Sequence, residues 1–563
     1  MHLRIALSCS FILLCFFFSC TKQKSKRIDT FYYNETEAIA NLDPALISYR
    51  SAIWVGTQIF NGLVELDSSL QIKGCIAKSW DIDSTGKIWT FHLRTDVYFH
   101  SHPSFGHDSS RIVTAADFKY SFERICNAST KSTGLWLYSS TIKDAKEFHL
   151  RTKKISTNDS ISGIVVVNDS TLRLELIKPT ASFLAMLTMP YCWVVPKEVV
   201  ELEQQNFGMK PIGTGPFTLA SWKPEIDMVL DRNTRYFKVD SSYKQLPYLN
   251  QVQISFVKDS KSEFLQFTRG EYDFIGSLDP VIAPTVVTTD GKSLREKYKN
   301  FTLFECGVHS VEYYGMLLDT SNPIVKNIPL SSSALVRQAL NLAIDREKIV
   351  RFVLRGAAIP ATNGILPPSM PGFSSDVKGY TYNLDSAQKL LALAGFPQGN
   401  GFPPITLQIG ANERSASVAE VVQENWKQLG INVTIVQVTF PKHLSMIRNG
   451  ELPLWRTSWI GDYPDPENFL ALFASKNFSP KGPNTTHFYH QMVDSLMEIA
   501  DSPLLPSSER YKLYNQMEEI VLKNSPWILL YYNKVQWLVQ PNVRGMYLDG
   551  SNRLLLEKVS KSL

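Results

Sequence analysis

Beyond its first twenty residues this 563-residue chain has no long hydrophobic run, almost no cysteine and no charge of either sign to spare. Each shortage excludes something. No later segment is apolar enough to read as a membrane span. The formal charge of +5 comes from Arg4, Lys22, Lys24, Lys26 and Arg27, with no acidic residue before Asp29. Without those five, 53 of the 58 basic residues remain against 53 acidic ones. A neutral body argues against nucleic acid or a broadly anionic partner. Of seven cysteines, Cys9, Cys15 and Cys20 lie in the N-terminal segment; Cys75, Cys126, Cys192 and Cys306 are far apart, with no CxxC pair. An oxidising compartment would permit two bridges of unreadable connectivity, and isolated buried thiols are the expectation. No internal repeat or low-complexity tract is present.

Catalytic and cofactor motifs are missing too. Gly291-Lys292-Ser293 ends like a phosphate-binding loop, but Val286 stands where the earlier glycine is required. His487 and His490 lack the glutamate and helix of a zinc protease, and there is no GxSxG elbow. His100, His102 and His107 with Asp108 read as a solvated loop, since Pro103 and Gly106 give no fixed ligand geometry. No cofactor or metal is expected.

What is present begins at the N-terminus. Ile5 to Phe18 is a signal-peptide core, preceded by Arg4 and followed by Ser19-Cys20. A cysteine directly after a small residue looks like a bacterial lipobox, which would make Cys20 the lipid-modified first residue of a mature chain. The basic tether beside it would lie near anionic headgroups.

The body alternates strands and helices. Ile88, Thr90 and His92 alternate with Trp89, Phe91 and Leu93, the period of a half-buried strand. A hairpin is expected around Asn168-Asp169-Ser170, and a helix over Ala115 to Cys126. Further on, the spacing predicts one helix from Ser333 to Arg355 closed by Gly356, and another from Ser415 to Leu429 closed by Gly430. With Thr406 to Gly410 before it and Ile431 to Gln437 after it, the latter helix forms a β-α-β unit. An apolar strand from Leu452 to Trp459 follows, so Asp462 lies just past a carboxyl end, where open α/β sheets bind ligands. In Trp459-Ile460-Gly461-Asp462-Tyr463-Pro464-Asp465-Pro466 an aromatic and two prolines surround that carboxylate, which suits an ammonium ligand. Asp465, flanked by prolines, reads as a structural turn. Tyr531 to Val539 resumes strand character and would return to the first domain.

Several stretches then match one family in order. They are Leu42-Asp43-Pro44-Ala45, Ile59 to Val64, Ala77 to Trp80, Trp89 to Arg94 and Val113 to Arg124. Gly213 to Phe217 follows with Arg232-Asn233 and Tyr236-Phe237, then Val336 to Leu340 with Ala343 to Arg346, Asp462 to Pro466 and Asn484 to Phe488. The chain resembles the bacterial extracellular solute-binding proteins of family 5, peptide-binding lipoproteins of ABC importers. The resemblance implies an α/β, two-lobed periplasmic-binding-protein-like fold (type II, cluster C) with an extra small domain. The expected division is 1–19 signal peptide, 20–27 tether, 28–74 with 197–303 and 531–563 as lobe I, 75–196 as the small domain, and 304–530 as lobe II. It implies a monomeric, non-catalytic receptor in the cell envelope that passes peptides to a permease.

The resemblance gives Asp462 the ligand's α-ammonium, sealed between the lobes, and Arg456, six residues earlier, a carboxylate or backbone partner. An even offset would keep both side chains on similar faces if the strand continued that far. Arg414 lies next to where some members place a carboxylate-binding residue, and Asn61 where some carry an acid. Tyr120, Trp459 and Tyr463 are candidate aromatic walls. A nickel-chelate, haem or sugar binder is the alternative within the family, and a secreted hydrolase the alternative outside it.

Overall fold

The computed structural model describes residues 29–154, 159–289 and 291–562. The signal-peptide, tether and Cys20 expectations lie outside the described residues.

One eleven-stranded mixed sheet runs through the molecule. Its middle is formed by two long antiparallel strands, Thr302–Met316 and Trp527–Val539, paired from Thr302 with Val539 to Gly315 with Trp527. On one side follow Leu454–Ile460, Ile405–Gly410 and Val433–Val438; on the other Phe274–Ile275, Thr30–Asn34, Gln251–Ser255, Asp227–Arg232 and Phe217–Lys223, while the eleventh strand, Ala358–Pro360, pairs with Trp527–Val539 off this path. Fifteen residues of strand reach about 50 Å at ~3.4 Å each, enough to serve two cores in succession. Trp537 and Val539 pack with Phe31, Trp54 and Val252, whereas Val311, Tyr313 and Tyr532 pack with Phe469, Tyr514 and Met517. The register slips between Gly307 and Val311, midway between these cores. Two lobes therefore share one sheet, and two strands cross between them.

The opposite face of the second lobe holds the β-α-β unit. Ile405–Gly410 and Val433–Val438 pair in parallel, joined by the helix Glu413–Lys427. This helix starts two residues earlier than the sequence suggested, because Asn412 accepts the Ser415 N–H at 3.0 Å. It stops before Gly430, whose φ is 75°.

A separate four-stranded sheet carries the small domain: Ala77–Ile82, Ile88–Leu93, Thr171–Glu175 and Ile164–Asn168. Trp89, Phe91 and Leu93 are buried and their neighbours are not, so the alternation holds. Ala115–Cys126 is the expected helix; Asp117 accepts the Thr114 N–H at 2.8 Å at its start. At its end Arg124 makes paired bonds to Asp43 (2.7 and 2.5 Å), tying the small domain to the first lobe.

Three expectations need correction. The single helix over Ser333 to Arg355 is broken: Ala334–Leu342 ends, and Arg346–Lys348 restarts with Asp345 accepting the Lys348 N–H at 2.9 Å. The carbonyls freed by the break are met by buried Arg346, which donates to Asn341 O (3.0 Å) and Ile344 O (3.3 Å). His100 is not solvated: Nε2–H donates to Gly215 O at 3.0 Å and Nδ1 accepts from Gly213 N at 3.3 Å, and burial pulls its pKa down to about 4. The last long strand begins at Trp527, not Tyr531, because it serves both lobes. The four cysteines of the body are free, three of them buried. Among the described residues no helix is long and apolar enough to cross a membrane, and no group of three His, Cys, Asp or Glu is placed to hold a metal.

Candidate functional site

The strand Leu454–Ile460 is flanked by a partner on one side along its length, from Met316 with Leu454 to Ser310 with Ile460. On the other side it meets Ile405–Gly410 only at Trp455. From Arg456 onward no strand among the described residues pairs with its outer edge, which leaves backbone groups for an added strand. The imidazole of His443 reaches the Arg456 carbonyl at 2.7 Å.

The strand stops at Ile460, two residues short of Asp462, so the shared-face argument linking Arg456 with Asp462 does not apply. Gly461 turns the chain: its N–H donates to His309 O at 2.8 Å, and a Cβ there would sit 3.0 Å from the Phe469 ring. Asn468 Oδ1 then accepts both the Asp462 N–H and the Trp459 indole N–H, each at 3.1 Å. Trp459 is thereby half-buried beside the turn. Asn468 Nδ2 stands 3.5 Å from the Asp462 carboxylate, a long contact. Asp462 is exposed, so the expectation of a sealed carboxylate is not met in this arrangement. Surrounding protein nevertheless raises its pKa, against a lowering by Asn468. The group faces water on one side and protein on the other, and among the described residues no cationic side chain pairs with it.

At the start of the same strand the chemistry is reversed. Arg456 is bonded to Glu312, which also accepts from Asn533 Nδ2 at 3.1 Å. The guanidinium expected to await a ligand carboxylate is already neutralised. Arg414, in the first turn of Glu413–Lys427, lies over the Tyr531 ring at 5.3 Å. Both arginines line one cavity of about 380 Å³ with Glu312, Asn412, Phe440 and Tyr531. A larger hollow of about 960 Å³ lies at the crossing strands, bounded by Thr288 and Ser293 from one lobe, Arg351 and Ile359 from the other, and Glu305 and Lys534 between.

The other expected residues lie elsewhere. Asn61 accepts the Thr214 hydroxyl at 3.1 Å and lines a first-lobe cavity of about 510 Å³ with Glu65, Trp193, Lys238 and Glu557. Tyr463 is no cleft wall; its ring is buried among the small-domain core. Tyr120 packs against the first lobe with the Lys197 ammonium 6.0 Å from its ring, and burial lifts its hydroxyl to about 12. Asp465 is the structural residue expected, paired with Arg510 at 3.0 Å. Glu312 and Tyr531 were missed. The signal for Glu312 was a lone acid within the apolar, aromatic run from Val311 to Met316.

The family model of bacterial extracellular solute-binding proteins, family 5 (middle), matches residues 71–481. The chain belongs to that family. It is 28% identical over 93% of its length to 91% of heme-binding protein A of Haemophilus influenzae, and 26% identical over 89% to 89% of the dipeptide-binding protein of Escherichia coli. Among solved structures, the periplasmic murein tripeptide-binding protein MppA in its unliganded open form superposes with a TM-score of 0.79 at 22% identity, over 95% of this chain and 98% of that one. The peptide-bound DppA of Helicobacter pylori gives 0.67 at 25% identity, over 94% and 98%. The two-lobed family-5 architecture thus extends over nearly the whole chain, and family 5 comprises extracellular binding proteins, not enzymes.

Proposed function

We propose that this protein captures peptides between its two lobes and delivers them to the permease of an ABC importer, held to the membrane through lipid on Cys20. The division into lobes and small domain drawn from the sequence belongs to the same reading. The observation that carries it is Asp462: a carboxylate with no cationic partner among the described residues, at the carboxyl end of a strand whose outer edge is open. A peptide's ammonium would meet that carboxylate while its backbone pairs with the free edge, which ignores side chains and so tolerates many sequences. In the present arrangement Asp462 is exposed. Closure would seal it, and differential affinity for the two arrangements limits the shift. A haem cargo, as named for the Haemophilus influenzae relative, finds less support, because no histidine is among the residues lining the cavities of about 380 Å³ and about 960 Å³.

Calorimetric titration with tri- to pentapeptides, free and N-acetylated, tests this. Acetylation, or Asp462→Ala, is expected to cost about 2–5 kcal/mol, since a charge sealed by closure loses its partner. Equal affinity for both forms, or tight binding of haem with none of peptides, would overturn the reading.

A further inference from the structure

Asp462 opens a turn whose other members point away from the open strand edge. Tyr463 is 5% exposed, its ring set in the small-domain core, and its hydroxyl donates to Glu467 Oε2 at 2.7 Å. Ser182 of the small domain donates to the same oxygen at 3.2 Å. Asp465 is gripped by Arg510, and Asn468, next to Glu467, holds the Asp462 N–H at 3.1 Å. Adjacent residues therefore link the two: Glu467 is held by Tyr463 and by Ser182 of the small domain, and Asn468 holds the anchor.

We propose that Glu467 is a positioning residue for the ammonium site: through Tyr463 and Ser182 it fastens the Asp462 turn to the small domain, which so sets where the anchoring carboxylate stands. The inference rests on the reading of Asp462 given above. A lone carboxylate at the end of a strand binds weakly if the ligand must first order it. Contacts made before the ligand arrives remove that cost. The small domain then acts on binding without touching the ligand.

The test compares trialanine to pentaalanine with their N-acetyl forms on wild type, Tyr463→Phe, Ser182→Ala and Glu467→Gln. Tyr463→Phe and Ser182→Ala are expected to weaken the free peptide about three- to tenfold, the range of one lost hydrogen bond, and to leave the acetylated one within about twofold. Glu467→Gln keeps an acceptor oxygen and should retain most of the discrimination. A merely structural role would weaken both peptides together, and that result overturns the inference. Should Ser182→Ala fold poorly, Tyr463→Phe carries the test, because it keeps the buried ring. If wild type discriminates and every variant discriminates equally, this inference alone fails. If wild type does not discriminate, the ammonium reading fails and takes this one with it.

Discussion

The two ends of the strand Leu454–Ile460 treat charge in opposite ways. Beyond its carboxyl end Asp462 has no countercharge among the described residues and its pKa rises; near its start Arg456 is closed off by Glu312. A ligand gains most from the group that lacks a partner, because pairing it relieves a cost already present. A group already paired offers only exchange. The family resemblance assigned both residues to the ligand, but of the two only Asp462 has no charged partner among the described residues. At the other end the available cation is Arg414, which rests on an aromatic ring and meets no carboxylate among the described residues.

The largest effect that would break this contrast lies in the pH dependence of peptide affinity. Binding an ammonium favours ionised Asp462, so the pKa is higher in the free protein than in the complex. Affinity should be full above the free-protein pKa and fall as pH drops through it, by up to about tenfold per unit. The fall therefore sets in at a higher pH than it would for an unperturbed aspartate, because the free-protein value is raised. Titrations at descending pH check this, with Asp462→Asn as the flat control; a wild-type profile as flat as the variant's would remove the carboxylate from binding.

Next is the stability of the paired end. Glu312 is buried and Arg456 mostly so. Glu312→Gln would leave the guanidinium without its countercharge, and a loss of about 3 kcal/mol in unfolding free energy is expected. Urea unfolding measures it. The same change should make the protein discriminate between peptides with a free and an amidated carboxyl end, since Arg456 becomes available. Unchanged stability together with unchanged discrimination would show that the pair does not hold Arg456 back.

How much of this contrast could be read from residues alone follows from the range of each interaction. Trp89, Phe91 and Leu93 announce their strand because alternation is local, and Asp462 announces its turn because the strand end, glycine and prolines are all within a few residues. Arg456 and Glu312 are 144 residues apart and meet only because two strands align. Tyr463 looked like a wall of the site because it neighbours Asp462; the turn leaves Asp462 exposed and sends the next side chain into the small-domain core. The break after Leu342 had a local clue in Asp345 ahead of Arg346-Glu347-Lys348, an N-cap hidden inside an otherwise continuous apolar stripe. Its stabilisation by the buried Arg346 guanidinium depends on Leu529 O, 183 residues away.

The smallest effect expected is at Arg414. Its guanidinium is exposed and its charge is screened, so a ligand carboxylate meeting it gains only about 0.5–1 kcal/mol. Arg414→Gln should therefore reduce affinity for a free-carboxyl peptide roughly two- to fivefold and leave the amidated peptide unchanged. Added salt should erase most of the difference, because an exposed pair is screened within a Debye length. In the Glu312→Gln background the loss on removing Arg414 should shrink, since the freed Arg456 lines the same cavity and can take over the carboxylate. If both backgrounds lose equally, the two arginines do not serve one group, and the cavity they share is not where the ligand's carboxyl end lies.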